Sequence, residues 1–90
     1  MYERMKPELA KKAVKRVSEK LKNAETVFPG RLRDIRLTLG ISQEELADLA
    51  CMEKSSVSMY ERGLRVPTFV SLVSLSAVLQ VSVAWLLGEV

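Results

Sequence analysis

Asp34, Glu44, Glu45 and Asp48 are the only clustered carboxylates in this chain of 90 residues. Paired carboxylates can act as general acid and base when their surroundings push their pKa values apart. These four fall at surface positions of expected helices, so a solvated face accounts for them. The other common tools of catalysis are missing. Without histidine there is no Ser-His-Asp or Cys-His arrangement, no usual zinc hydrolase site and no commonest general base. The single cysteine, Cys51, excludes an internal disulfide and a four-cysteine zinc site. Its nearest basic neighbour after it is Lys54, so it reads as a packed, inert thiol and not as a redox switch. No enzyme, cofactor or metal is expected.

Composition is 48% apolar and 28% charged, the balance of a soluble globular protein with one core. The net charge of +3 is unevenly placed: residues 1–27 carry +4 and residues 28–90 carry −1. The basic excess lies in an N-terminal arm, which permits nucleic-acid binding without demanding it. The charged N-terminus is not expected to be a signal peptide. Residues 66–88 hold no charge and are long enough to span a membrane. They also contain Pro67, Thr68, Ser71, Ser74, Ser76, Gln80 and Ser82, so two buried helices are expected and no membrane partner. The expected location is the cytoplasm.

Periodicity places helices throughout. Pro7 suits a first helical turn, and Ala10, Val14, Val17, Leu21 and Ala24 form one apolar stripe over residues 7–24. Lys11, Lys12, Lys15, Arg16, Lys20 and Lys22 lie mostly off that stripe. It is either an amphipathic helix with a solvated basic face or one that dimerises or follows DNA phosphates. Phe28-Pro29-Gly30 should interrupt the chain, and a second helix over 31–39 should end at Gly40. Ser42 and Glu45 form a capping box that opens a helix over 42–50. Further helices are expected over 54–62, stopped by Gly63; from Thr68 to Leu79; and over 83–87, capped by Ser82. The fold class is all-α, with six helices. Two short helices joined by a tight turn suggest a helix-turn-helix.

Three stretches carry a resemblance. Leu39-Gly40-Ile41-Ser42-Gln43-Glu44-Glu45-Leu46-Ala47 resembles the opening of the Cro/C1-type (phage repressor-like, XRE) helix-turn-helix family. Ser55-Ser56-Val57-Ser58-Met59-Tyr60-Glu61-Arg62-Gly63 looks like its recognition helix. Val81-Ser82-Val83-Ala84-Trp85-Leu86-Leu87-Gly88 is similar to its closing helix. The resemblance covers about residues 29–88 and implies a five-helix lambda-repressor-like domain, here residues 28–90, behind an arm of residues 1–27. It implies that helix 54–62 enters the major groove of double-stranded DNA, which admits a single helix.

Carried over residue by residue, the resemblance points Lys54, Ser55, Ser58 and Met59 outward toward base edges or phosphate. It places Gln43 and Arg65 on the DNA backbone, with Arg62 a weaker phosphate candidate. It pairs Arg36 with Glu61 as a structural ion pair. Two positions depart from the family. Cys51 stands where glycine is usual, a left-handed position that costs another residue about 1 kcal/mol or somewhat more. Glu53 stands where Ser or Thr usually caps the recognition helix. Helix 68–79 lacks a charged face, so the arm or a second protomer should cover it. A homodimer is expected through the C-terminal helices, with the arm as a further candidate contact and Val70, Ala77, Trp85 and Leu86 at the interface.

The resulting expectation is a bacterial or phage DNA-binding transcriptional regulator, a dimeric repressor reading a palindromic operator. The alternative is an antitoxin-like or anti-repressor protein-interaction module. Its features would be the uncharged fourth helix and the arm, the latter as a docking face for a protein partner.

Overall fold

Pro29 and Gly30 do not break the chain. The computed structural model describes residues 5–90, and its first helix, α1, runs without interruption from Pro7 to Thr38. The two helices expected before Gly40 are therefore one. A proline inside a helix removes the bond to the carbonyl four residues back, here Glu25, at a cost of ~3 kcal/mol or more. Packing around the proline offsets that cost. Phe28 is 3% exposed and meets Tyr60 edge to face, with ring centroids 6.0 Å apart. Leu32, one turn on, is fully buried, and the Pro29 ring lies beside the turn at Gly63.

Four more helices follow: α2 (Gln43–Leu49), α3 (Lys54–Glu61), α4 (Phe69–Leu79) and α5 (Val83–Leu86). Among the described residues there is no strand, and no helix is long and apolar enough to cross a membrane. The core draws on every helix: Phe28 and Leu32, Leu46 and Ala47, Val57 and Tyr60, Leu75 and Leu79, and Leu86. Ala47 is buried where α2 and α3 pack together, and its small side chain lets the two backbones approach.

Local chemistry sets the helix ends. Ser42 accepts from the Glu45 backbone N–H at 3.0 Å, and the Glu45 carboxylate accepts from the Ser42 N–H at 3.0 Å. That N–H, with help from the Ser42 hydroxyl, holds the Glu45 carboxyl below the usual carboxylate range. Thr68 and Ser82 cap α4 and α5 by accepting from the Ser71 and Trp85 N–H groups without a reciprocal bond, whereas Glu53 makes no capping bond to α3. After α2 the Cys51 N–H reaches the Asp48 carbonyl and the Met52 N–H reaches that of Ala47, a Schellman turn. Cys51 takes the left-handed conformation there, with φ 57°. Its side chain is exposed, which corrects the expectation of a packed thiol: a left-handed residue at a helix end projects into solvent.

Leu86 also departs from expectation. It is 0% exposed and belongs to the core, because the short α5 turns this side chain toward α1 and α4. It offers nothing to a dimer interface. Trp85 is half-buried under the Arg31 guanidinium, 4.8 Å from the ring centroid. Val70 is 75% exposed, and Ala77 is exposed as well. The N-terminal part of α1 projects away from the other helices, giving the molecule extents of 50 × 22 × 20 Å. The arm therefore leaves the apolar face of α4 open.

Cys51→Gly relieves the left-handed strain at the cost of a more flexible unfolded chain, for a net gain of about 0.5–1 kcal/mol in thermal or urea unfolding. Glu45→Gln lowers stability at neutral pH. The lowered Glu45 pKa makes its contribution complete above the ordinary carboxylate pKa and lost as pH falls through the folded value. Unfolding curves of the two chains should converge in acid.

Candidate nucleic-acid interface

An eight-residue helix presents the expected outer face. On α3, Val57 and Tyr60 turn into the core, while Lys54, Ser55 and Met59 are exposed and Ser58 is half-buried. One ammonium, two hydroxyls and one thioether thus share a helix side at positions i, i+1, i+4 and i+5. This set can donate to base acceptors, exchange hydrogen bonds with bases or phosphate, and touch a thymine methyl. The Ser55 hydroxyl donates to Glu53 Oε2 at 3.4 Å, so the acid that fails to cap α3 instead orients a side chain at its start.

Three tethers fix α3 and the helices that flank it. The Tyr60 hydroxyl donates to Ser71 Oγ on α4 at 3.3 Å. The Ser74 hydroxyl donates to the Ala50 carbonyl at 2.7 Å, fixing α4 to the end of α2. The third is the buried ion pair. Arg36 Nε donates to Glu61 Oε2 at 2.6 Å and a second guanidinium nitrogen donates to Oε1 at 2.9 Å. Its remaining nitrogen donates to the Ile41 carbonyl at 2.9 Å. The Arg36 and Glu61 side chains are only 10% and 4% exposed. The hydrogen bond to Glu61 pushes the Arg36 pKa up, against the opposing effect of burial.

Gln43 joins this pair, donating to Glu61 Oε1 at 3.1 Å. The α1 C-terminus, the α2 N-terminus and the end of α3 therefore meet at one carboxylate. The family resemblance pairs Arg36 with Glu61 but gives Gln43 only a DNA-backbone role. No local signal could reveal the link, because the partners lie 18 residues apart. Gln43 retains one N–H and its amide oxygen for an outside ligand. Arg65, in the loop after α3, is exposed and donates to Ser56 Oγ at 3.3 Å, which brings its guanidinium beside α3. Arg62, the C-cap of α3, is exposed and donates no side-chain bond to the described residues. Arg31 escaped sequence reasoning altogether. Besides covering Trp85, it donates to the Val90 carbonyl at 2.6 Å and clasps the C-terminal segment onto α1. Among the described residues no group of three or more His, Cys, Asp or Glu could hold a metal ion.

Arg36→Met leaves the Glu61 carboxylate buried with only Gln43 for company, and should cost roughly 3–5 kcal/mol in urea unfolding. Adding Glu61→Leu should recover much of that loss, because both charges then leave the interior together.

A model of the helix-turn-helix family matches residues 32–86, more than half of the chain. The chain is also similar to a solved structure, the restriction-modification controller protein C.AhdI from Aeromonas hydrophila. The two are 35% identical, with a TM-score of 0.66 over 69% of this chain and 94% of that one. No curated protein sequence matches. With its capping box, its left-handed turn at Cys51 and α3 tied by Arg36 to α1, the chain belongs to the Cro/C1-type helix-turn-helix family of DNA-binding regulators.

Proposed function

We propose that this chain is a sequence-specific regulator of transcription that inserts α3 into the major groove of an operator. The observation that carries this reading is the outer face of α3, held rigidly against α1 and α2 by the Arg36–Glu61–Gln43 cluster. Lys54 donates to guanine or phosphate, Ser55 and Ser58 bond bases or phosphate, and Met59 contacts a thymine methyl. Gln43 at the start of α2 and Arg65 beyond α3 grip the backbone and set register. The similarity to a controller protein supports control of transcription.

The active form is a homodimer on a palindromic operator, acting as a repressor by occupying it. The exposed apolar face of α4 around Val70 and Ala77 supports association of two copies. Residues 28–90 form the DNA-binding unit and residues 1–27 the arm. A bacterial or phage cytoplasm is the setting. A second reading, a protein-interaction module of the antitoxin or anti-repressor kind, is favoured by one observation: the apolar stripe on the arm is bare.

Selection from random duplexes at about 0.15 M salt, where contacts made by charge alone weaken, separates the two. An enriched palindrome with half-sites about one DNA turn apart supports the dimeric reader; no enrichment supports the interaction module. On the selected site, Lys54→Ala should cost ~1–3 kcal/mol and relax specificity at one base pair. Arg65→Ala should weaken all sequences alike and lower the salt slope by about one.

A further inference from the structure

The arm leaves the chain with more surface than its length requires. A compact chain of 10.1 kDa exposes roughly 5,300 Å², whereas this one exposes 6538 Å². Its radius of gyration is 15.7 Å, against about 12 Å for a compact chain of this length. The excess surface, on the order of 1,200 Å², exceeds the ~800 Å² that each partner buries in a standard interface. The projecting part of α1 also lies outside the helix-turn-helix match, which begins at residue 32.

The exposed stripe has a defined repeat. Ala10, Val14, Val17, Leu21, Ala24 and Phe28 are spaced 4, 3, 4, 3 and 4 apart, a coiled-coil seam. One end of the seam, Phe28, is buried in the protein's own core. Toward the other end, Val17 is 57% and Leu21 59% exposed. At the base of the arm lies an apolar groove of about 200 Å³, lined by Leu21, Ala24, Phe28, Val66, Pro67 and Leu87.

We propose that the arm pairs antiparallel with the arm of a second copy, so that the tip of each lies in the groove at the base of the other. Matching the seams layer by layer sets Leu21 against Val17 of the other copy, Ala24 against Val14, and Phe28 against Ala10. The small Ala10 and the slender Val14 thus arrive where the groove is open and Phe28 leaves little room. The flanks agree with this register. On one side Lys11 faces Glu25 of the other copy, twice by symmetry, and Ser18 meets its own counterpart. On the other side Ala13 lies across from Val27, which already packs against Gly88 of its own chain. Lys20 approaches its own counterpart there, but each Lys20 already lies 3.6 Å from Glu89 of its own chain. Lys12, Lys15, Arg16 and Lys22 fall on the outer face, away from the seam. A parallel pair would press the two Phe28 positions together, where the core already occupies the seam. It would also bring Lys6 toward Lys11.

This pairing deepens the two-copy reading and does not depend on DNA recognition. Its test uses the full chain in a Cys51→Gly background. Lys11→Cys and Glu25→Cys chains, mixed and allowed to exchange, should form a disulfide-linked dimer containing one of each on mild oxidation. Either chain alone should cross-link little. Val17→Asp, at an exposed site that the monomer fold does not use, should weaken dimerisation in sedimentation velocity roughly ten-fold or more with helix content unchanged. Cross-linking of each variant with itself overturns the antiparallel register. A dimer that survives Val17→Asp but dissociates with Val70→Asp overturns the arm pairing and leaves the two-copy reading standing. A monomer at every concentration overturns both, and the duplex selection would still report on DNA recognition.

Discussion

The Glu61 carboxylate is the point on which the arrangement of α1, α2 and α3 depends. It accepts two bonds from Arg36 and one from Gln43, and it is almost wholly removed from water. A buried charge is tolerated only when its partners replace the water it has lost. Here those partners come from the end of α1 and the start of α2, while the charge comes from the end of α3. Satisfying one ion therefore sets the relative orientation of three helices. The planar fork of arginine adds directionality that a lysine would not supply. Rigid placement of α3 matters because recognition by a helix in a groove depends on a few side chains reaching base edges together.

The same economy governs the turn between α2 and α3. The family's usual glycine is replaced by Cys51, yet the left-handed conformation is kept, because Schellman bonds at Cys51 and Met52 and the burial of Ala47 and Val57 on either side hold it there. The strain is local and small beside the burial it permits. Glu53 shows a similar substitution of means: it makes no capping bond, but its charge lies at the positive end of α3 and its carboxylate engages Ser55.

α1 has two physical characters along its length. From Phe28 onward the seam enters the core through Phe28, Leu32 and half-buried Ile35, and before that it faces outward. The helix runs unbroken through Pro29 and Gly30 at that point. What changes is whether other helices are alongside. A continuous helix with a bare seam carries surface in excess of what its own fold can bury, and this excess, more than charge, distinguishes the arm.

Much of this was legible in the residues themselves. Helix ends were, because caps and stops act over three or four residues: Ser42 with Glu45, Thr68 with Ser71, and the glycines at 40 and 63. The outer face of α3 was legible too, since helical periodicity separates Val57 and Tyr60 from Lys54, Ser55 and Met59. The Arg36–Glu61 pair was reached only through family resemblance. What local rules could not decide was set by contacts between distant residues. Pro29 should have broken α1, but Phe28, Leu32 and the turn at Gly63 hold it in a helix. Leu86 looked available to a partner but is enclosed by the core, and Cys51 looked packed but projects into solvent. Gln43 and Arg31 took their partners from 18 to 59 residues away. Short-range hydrogen bonding and periodicity are written in neighbouring residues. Burial and long-range pairing arise only when the helices meet, so tertiary structure alone decided them.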